Sequence, residues 1–399
     1  MIQYEEALKR ILKNTSLLPE EKINIEESVG RTLKEDIHST LEMPPFDKAA
    51  MDGYAVRAQD VKNAPTNLRC IGFIQAGDNF EKKLNRAECV KIMTGAPLPA
   101  GAESVVMVEN TLQRGDSVLV TKTVKKGENV CFKGEDLKRN QRILAQGTRI
   151  LLAHVPVLAA VGRRFVMMAG NPRVALLNTG GEIIQPGAPL GRNKIYNSNG
   201  PMLQALLKSD GIEPFFLGIA RDNIRELKSA IKEGLKQDVL LVSGGVSMGD
   251  YDIVPEVLAS LGVRKIFHKV NIKPGKPLFF GIRNRTLVFG IPGNPVSNFL
   301  SYHIFVRPAL YRMMGYMYYK PEFKEGLAAR EFNTKTGRKH FVLVKIAKKE
   351  NQYRLTPVDS RGSADIMALS KSDGFMVVDE GRSTVKKNSK IKFITWKII

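Results

Sequence analysis

The sequence predicts a multidomain α/β plus β protein, and three observations carry that prediction. The chain has 399 residues, more than one small core organises, so roughly two to four domains are expected. Strand-like and helix-like runs alternate between residues 172 and 315, the spacing of βαβ units around a mostly parallel sheet covered on both faces. Short β-like runs broken by Gly, Pro and Asn flank that stretch on either side, in residues 36–147 and again after Pro321.

In chain order, Ile2, Ala7, Leu8, Ile11 and Leu12 fall at helical spacing and predict a short amphipathic helix over 2–13. Runs at 70–74, 89–93, 104–108 and 117–120 predict a small β-rich unit. Helical signal returns at 151–160. Packing of that segment with the amino-terminal helix makes the β unit an insertion into a discontinuous first domain. Residues 173–178 then form an apolar strand ending in Thr179-Gly180-Gly181. Asn199 and Pro201 suit the cap and first turn of a helix reaching Ser209, which Gly211 can close. Residues 214–219 resemble a strand, and Asp222 can cap a helix that runs to Lys236. Residues 239–242 read as a buried strand leading into Ser243-Gly244-Gly245, with a helix over 253–261 beyond it. After Pro321, alternating runs at 341–346, 353–358, 375–378 and 391–394 predict a small β domain. The division expected is therefore 1–40 with 145–171 as a discontinuous N-terminal helical and linker domain, 41–144 as the inserted β-rich domain, 172–320 as the α/β domain and 321–399 as the C-terminal β domain.

Composition excludes several classes. Hydrophobic residues make up 43% and charged residues 25%, which is ordinary for a globular protein and unlike disorder. No run approaches the roughly 18 apolar residues that cross a bilayer; residues 151–161 are too short and contain His154 and Pro156. The amino terminus carries Glu5 and Glu6 where a signal peptide would carry positive charge, so a cytoplasmic location is expected. Three cysteines, Cys70, Cys89 and Cys131, are too few and too scattered for a disulfide framework or a metal cluster. The formal net charge of +21 raises nucleic-acid binding. The basic residues are spread along the chain, with only short pairs such as Lys125-Lys126 and Lys386-Lys387, and no nucleic-acid motif accompanies them. Steering of small anionic substrates is the preferred reading. There is no HExxH, CxxC, GxSxG or GxxxxGK[ST] pattern, so zinc protease, thiol redox, α/β-hydrolase and P-loop chemistry lack support. The five histidines are scattered and read as structural.

Five segments carry chemistry. Ser243-Gly244-Gly245-Val246-Ser247, at the end of a strand, leaves backbone N–H groups free to approach an anion, with hydroxyls from Ser243 and Ser247. Asp250 and Asp252 beyond it can hold a magnesium ion bridging phosphate oxygens, or Asp252 can simply cap the next helix. Lys269, Lys273 and Lys276 stand on a stretch stiffened by Pro274 and Pro277, so an anion site there would be preorganised. In Pro292-Gly293-Asn294-Pro295-Val296-Ser297, Pro295 suits a first helical turn and Ser297 lies near its positive end. The remaining two, residues 44–56 and 91–102, have no local mechanism; Asp52 and Thr94 read there as turn formers.

Together the segments resemble the molybdopterin molybdenumtransferase family, which includes bacterial MoeA proteins and the E domain of gephyrin. The resemblance rests on Phe46-Asp47 with Met51-Asp52-Gly53-Tyr54-Ala55, Met93-Thr94-Gly95, Gly134-Glu135-Asp136, Ser243 to Ser247, Ile272 to Pro277 and Pro292 to Ser297, and it spans essentially the whole chain. It implies an elongated helical domain with an inserted β unit, a molybdopterin-binding α/β domain and a β-barrel-like C-terminal domain. It also implies a homodimer with an active site at the subunit interface, to which Asp52, Thr94 and Asp136 come from the partner chain. The implied reaction inserts molybdate into adenylylated molybdopterin with Mg2+-dependent release of AMP. Glu182, Asp222, Asp252, Lys269, Lys273, Lys276, Pro292, Pro295 and Ser297 carry over as site residues, with Thr179, Ser243, Gly244, Gly245 and Ser247 cradling the substrate. Arg338 and Ser363 match anion-contacting positions. On this reading Lys273, Lys276, Arg338, Ser297 and Ser363 form the molybdate pocket, and Asp222, Asp250 and Asp252 position the metal on the pyrophosphate. Other proteins of cofactor synthesis are the expected partners; membranes and nucleic acid are not.

Three positions depart from the family pattern. Cys131 stands where an Arg is frequent, with Lys133 nearby; Gly181 replaces an acid; Ala49 replaces a Ser. Two alternatives remain at this stage: a molybdopterin adenylyltransferase, because the α/β domain resembles that class, and a non-catalytic cofactor-binding scaffold.

Overall fold

The computed structural model describes residues 1–246, 253–334, 337–349 and 351–397. The chain forms two compact units, one of Met1–Lys34, Gly147–Val155 and Phe165–Ile399, the other of Glu35–Gln146 and Pro156–Arg164.

The first unit is built on a six-stranded sheet in the order Pro214–Ala220, Val174–Thr179, Val239–Ser243, Thr286–Ile291, Phe279–Arg283, Arg264–His268. The first four run parallel; the last two are antiparallel additions at one edge. Alternate residues of each strand feed opposite faces, as the two-residue strand period requires. Val174, Leu176, Val239, Leu241, Leu287 and Phe289 pack with Leu203, Leu207, Val296 and Leu300 of the helices Asn199–Ser209 and Pro295–Ser301. Ala175, Leu177, Leu240, Val242 and Val288 pack on the other face with Leu227, Ile231, Val254 and Leu258 of Ile224–Gly234 and Val254–Ser260. Each such fully buried aliphatic side chain is worth about 1.5–3 kcal/mol, so two covered faces are what allow these strands to be continuously apolar.

Three local expectations are corrected. Asn223, not Asp222, caps Ile224–Gly234, accepting from the Arg225 and Glu226 N–H groups. Asn199 lies inside its helix; the Asn197 side chain accepts the Gly200 N–H instead, and the Asn199 amide is engaged elsewhere. The amino-terminal helix, Tyr4–Lys13, buries Tyr4, Ala7, Leu8, Ile11 and Leu12 in the same cluster as Phe305, Leu310 and Phe341, not against residues 151–160. Leu151 and Leu152, the large apolar residues that suggested that partner, are exposed.

The C-terminal strands close a small barrel. Lys339–Lys349 pairs with both Gln352–Pro357 and Gly374–Val378, and the ring is completed through Lys324–Ala328 and Lys390–Thr395. Val342, Val344, Leu355, Met376 and Phe393 fill its interior. The alternating residues Phe341, Leu343, Phe375 and Val377 join the core beneath the large sheet, so barrel and sheet share one apolar layer. The short strand Ile272–Lys273 adds to the barrel alongside Lys339–Lys349.

The second unit holds a six-stranded sheet in the order Ser104–Met107, Gly53–Val56, Glu88–Ile92, Thr66–Ile74, Ser117–Val120, Thr111–Arg114. Its faces bury two small clusters, one around Ala55, Ile74, Val90 and Val105, the other around Tyr54, Val56, Val106 and Val118. No helix among the described residues is long and apolar enough to cross a membrane.

Candidate functional site

The parallel strands of the first unit end together: Thr179 is in register with Ala220, Asn178 with Ser243, and Ser243 with Ile291. From Val174–Thr179 the chain crosses to Pro214–Ala220 on one side, then returns to Val239–Ser243 on the other. That reversal opens a crevice between the ends of the two central strands, where ligands of such sheets bind. Gly244 follows with a φ of +98°, and a Cβ there would stand 2.6 Å from the Thr179 carbonyl oxygen. Only glycine permits that approach. Gly293 touches Gly244 closely enough that its own Cβ would lie 3.7 Å from the Gly244 Cα, so the Pro292-Gly293 turn sits against the glycine turn.

Beneath these turns lies a buried polar floor. The Asn199 Nδ2 donates to the Gly293 carbonyl at 2.6 Å and to Ser243 Oγ at 3.3 Å. Asn298 Nδ2 donates to the Pro292 carbonyl and to Ser243 Oγ, both at 2.9 Å. Ser243 is 1% exposed and Asn298 fully buried. Asn178 Nδ2, Thr179 Oγ1 and the Oδ1 atoms of Asn199 and Asn298 are buried without a hydrogen-bond partner among the described residues. A buried polar atom left unpaired costs about 1–3 kcal/mol, and such atoms gather where function outranks stability.

Carboxylates flank the neighbouring turn. Asp222 Oδ2 accepts the Gly181 N–H at 3.1 Å, and the Glu182 carboxylate lies against Gly180, 2.8 Å from where a Cβ would be. Both acids are exposed. Lys194 Nζ donates to the Gly181 carbonyl at 2.6 Å. Ser247, Asp250 and Asp252 lie outside the described residues.

Cations and hydroxyls gather on the opposite side, from three stretches of chain. Pairing of Ile272–Lys273 with the barrel sets Lys273 beside His340, and Arg338 Nη1 donates to the Ile272 carbonyl at 3.2 Å. Burial, then the charges of Lys273 and Arg338, push the His340 imidazole down to about 4, which places both cations near one ring. Gly275 packs on the helix that begins at Pro295: its Cβ would be 3.5 Å from Ser301 Oγ and 3.8 Å from the Ser297 carbonyl. Ser363 joins through its carbonyl, which accepts the Val296 N–H at 3.0 Å, and its Oγ, which accepts from Asn294 Nδ2 at 2.8 Å. Lys276 is exposed on the same loop, and Lys269, with a φ of +78°, donates its N–H to Leu278 and accepts from Ile2. The 272–277 loop, the 292–297 turn, Arg338 and Ser363 are thus joined through neighbouring contacts.

Three family models match this chain in succession: the MoeA N-terminal region (domain I and II) over residues 2–162, the probable molybdopterin binding domain over 175–312, and the MoeA C-terminal region (domain IV) over 325–396. The molybdopterin molybdenumtransferase of Staphylococcus epidermidis is 31% identical over 398 residues, covering 98% of this chain and 95% of that protein. That of Staphylococcus aureus is 30% identical over the same length. The chain belongs to the molybdopterin molybdenumtransferase (MoeA) family. The crystal structure of the molybdopterin biosynthesis MoeA protein from Pyrococcus horikoshii superposes with a TM-score of 0.84 at 31% identity, each chain covered completely. A molybdenum cofactor biosynthesis protein from Pyrococcus furiosus, 19% identical with a TM-score of 0.61, shares the fold. Membership places the chain among the transferases of molybdenum cofactor biosynthesis.

Asp52, Thr94 and Asp136, the residues the resemblance assigns to a partner chain, lie in the second unit. Asp52 Oδ1 accepts from both the backbone N–H and the hydroxyl of Thr94, each at 2.6 Å, and these bonds hold its carboxyl below the usual range. Asp136 stands on a separate turn whose N–H groups bond Met43 and Pro44. Strand Lys48–Ala49 lies between that turn and the 94–97 segment, with Lys48 paired to Cys131 and bridged to Pro97. Of the departures from the family pattern, Cys131 has its thiol pushed up by burial and then by Glu135. The nearby Lys133 is engaged, its Nζ 3.2 Å from Glu42; Lys48 is the cation whose field reaches Cys131. At Gly181 a Cβ would be 4.0 Å from Asp222 Oδ2, so an acid there would face a like charge. Ala49 is buried between the Ala96 and Gly95 backbones, where no hydroxyl is needed.

Sequence reasoning missed Asn199, Asn298, Asn294 and His340. Asn298 left a signal, a wholly polar amide in a run, 296–306, that is mostly apolar. Asn199 sits in a polar triplet before an apolar helix and was spent on a capping role it does not have.

Proposed function

We propose that the protein inserts molybdate into adenylylated molybdopterin, releasing AMP and yielding molybdenum cofactor. The observation that carries this reading is the joining, in one unit, of the strand-end crevice to the cluster of Lys273, Arg338, Ser297 and Ser363. The crevice offers glycine backbone and buried polar groups to a pterin with its pyrophosphate. The cluster offers two cations and two hydroxyls to a tetrahedral dianion, with Lys276 at its rim. Holding the dianion beside the dithiolene converts a bimolecular encounter into a positioned one. No protein nucleophile is required: molybdenum gains the two dithiolene sulfurs and gives up oxo oxygen as water, which carries off the thiol protons. A water molecule attacks the pyrophosphate, so that AMP leaves and the pterin keeps its own phosphate.

Asp222 and Glu182 suit Mg2+, which takes one or two carboxylates together with phosphate oxygens. Two exposed carboxylates flanking the 180–181 backbone meet that requirement, and Asp250 and Asp252, outside the described residues, are the further carboxylates proposed for the ion. When bound, the ion would neutralise charge on the departing phosphate. Asp222 is meanwhile held toward the crevice by the Gly181 N–H. The protein acts as a cytoplasmic homodimer in which Asp52, Thr94 and Asp136 of the partner subunit complete each site, with the four-part division at residues 40, 144, 171 and 320.

The test supplies purified protein with adenylylated molybdopterin, Mg2+ and molybdate, and follows AMP release alongside activation of an apo-molybdoenzyme. Molybdate-dependent activation with stoichiometric AMP is expected, and Lys273→Ala raises the molybdate requirement about 100-fold. AMP transfer from ATP to molybdopterin would replace this reading with an adenylyltransferase. Binding without either product would leave a scaffold.

A further inference from the structure

We infer that Asn199 and Asn298 are positioning residues that turn two successive backbone N–H groups, those of Gly293 and Asn294, outward as a binding site for a tetrahedral oxyanion. The inference rests on the proposed function and adds donors to it that no side chain supplies.

The amide orientations are fixed by chemistry. Each asparagine reaches both Ser243 Oγ and a backbone carbonyl oxygen, Gly293 for Asn199 and Pro292 for Asn298. A carbonyl only accepts, so the atom facing it is Nδ2 in both cases. Two consecutive carbonyls are thereby drawn into the buried floor. The peptide bonds at 292–293 and 293–294 are not among the cis bonds of the chain, so each is trans, and in a trans peptide the N–H points opposite to the C=O. With the Pro292 and Gly293 carbonyls turned in, the Gly293 and Asn294 N–H groups are turned out. Neither has an acceptor in the protein among the described residues. Both residues are exposed. Pro295, the first residue of the helix, has no N–H, so the donors belong to the turn.

A second observation points to an anion. Asn294 is tied by its side chain to Ser363 Oγ, the Val296 N–H is already occupied by the Ser363 carbonyl, and the 272–277 loop that carries Lys273 and Lys276 packs through Gly275 on the helix this turn leads into. Adjacent N–H groups aimed at one point form a concavity that takes an oxyanion. The Oδ1 atoms of Asn199 and Asn298 are buried without hydrogen-bond partners among the described residues, so what each amide gains there comes through its nitrogen. Molybdate and a substrate phosphate offer the same chemistry to the turn.

The experiment titrates the full chain, labelled with 15N-glycine, separately with molybdate and with inorganic pyrophosphate. A saturable downfield shift of the Gly293 amide proton is expected with one of them, which also identifies the source of the oxyanion. Asn199→Leu and Asn298→Leu should each weaken that binding about tenfold and lose the Gly293 shift while circular dichroism stays native. Saturable binding that leaves the Gly293 amide unmoved overturns the inference, as does full affinity in both variants. If the variants do not fold, the wild-type titration decides alone. Cofactor synthesis by wild type without a Gly293 shift defeats this inference only. A Gly293 shift without cofactor synthesis defeats the insertion reaction and leaves the oxyanion site standing.

Discussion

The crevice at the strand ends and the Asp52–Thr94 pair both carry residues proposed for the site, yet they are made in opposite ways. At the crevice, backbones touch: Gly244 lies against Thr179, Gly293 against Gly244, and two asparagines are buried beneath them. Asp52 and Thr94 are exposed, and their geometry comes from two hydrogen bonds between themselves. In the first region function is inseparable from packing, so damage to one is damage to both. In the second, the proposed chemistry is laid on exposed side chains whose loss should leave the packing beneath them intact.

The largest effect separating the two comes from a single methyl group. Gly244→Ala must place a Cβ 2.6 Å from a backbone oxygen at a φ of +98°. The combined strain and overpacking should cost about 3 kcal/mol or more and lower Tm by roughly 5–10 °C. In the second unit, Gly77 has a similar φ of +92° but nothing within 4 Å of a Cβ. Gly77→Ala should therefore cost only the conformational penalty, about 1–2 kcal/mol. Equal losses in calorimetry would mean that close packing at the crevice is not what fixes it.

That contrast also explains what the sequence made legible. Strands such as Val239–Ser243 and Lys339–Lys349 announced themselves because burial on one or both faces writes a periodic apolar pattern. Lys273, Pro295 and Ser297 were legible through motif resemblance. The antiparallel edge of the large sheet was not legible: Phe279–Arg283 and Thr286–Ile291 pair through a hairpin whose direction no periodicity records. Nor were Asn199 and Asn298, since an asparagine reads locally as a cap or turn, and only tertiary contact brings both onto Ser243. His340 was passed over with the other histidines, because its significance lies in Lys273 and Arg338, distant in sequence or hidden in a strand pattern.

His340 sharpens the comparison through pH. Its native pKa is near 4, against 6.5 for the unfolded chain, because burial and two neighbouring cations oppose protonation. Between those values the unfolded chain binds more protons, so stability is fully present above about pH 6.5 and declines as pH falls toward 4. Allowing for partial exposure, the loss should be about 2–3 kcal/mol, and His340→Gln should flatten denaturation curves in that window. Saturating molybdate should raise the His340 pKa by screening Lys273 and Arg338, visible in its ring-proton NMR titration. An unmoved imidazole would detach His340 from the anion cluster.

The smallest expected change in stability is at Asp52, and there the comparison is most exposed to failure. Asp52→Asn removes a charge that Thr94 holds ionised through its hydroxyl and backbone N–H. The amide can keep one acceptor in the same place, so Tm should move by less than about 2 °C. Turnover should nevertheless fall at least tenfold, with little change in molybdate affinity, since the cluster proposed to bind the dianion belongs to the other unit. Thr94→Val should reproduce part of the loss by freeing the carboxylate from its fixed rotamer. A large fall in Tm for Asp52→Asn would show that this pair holds the second unit together, and its contrast with the buried crevice would be lost.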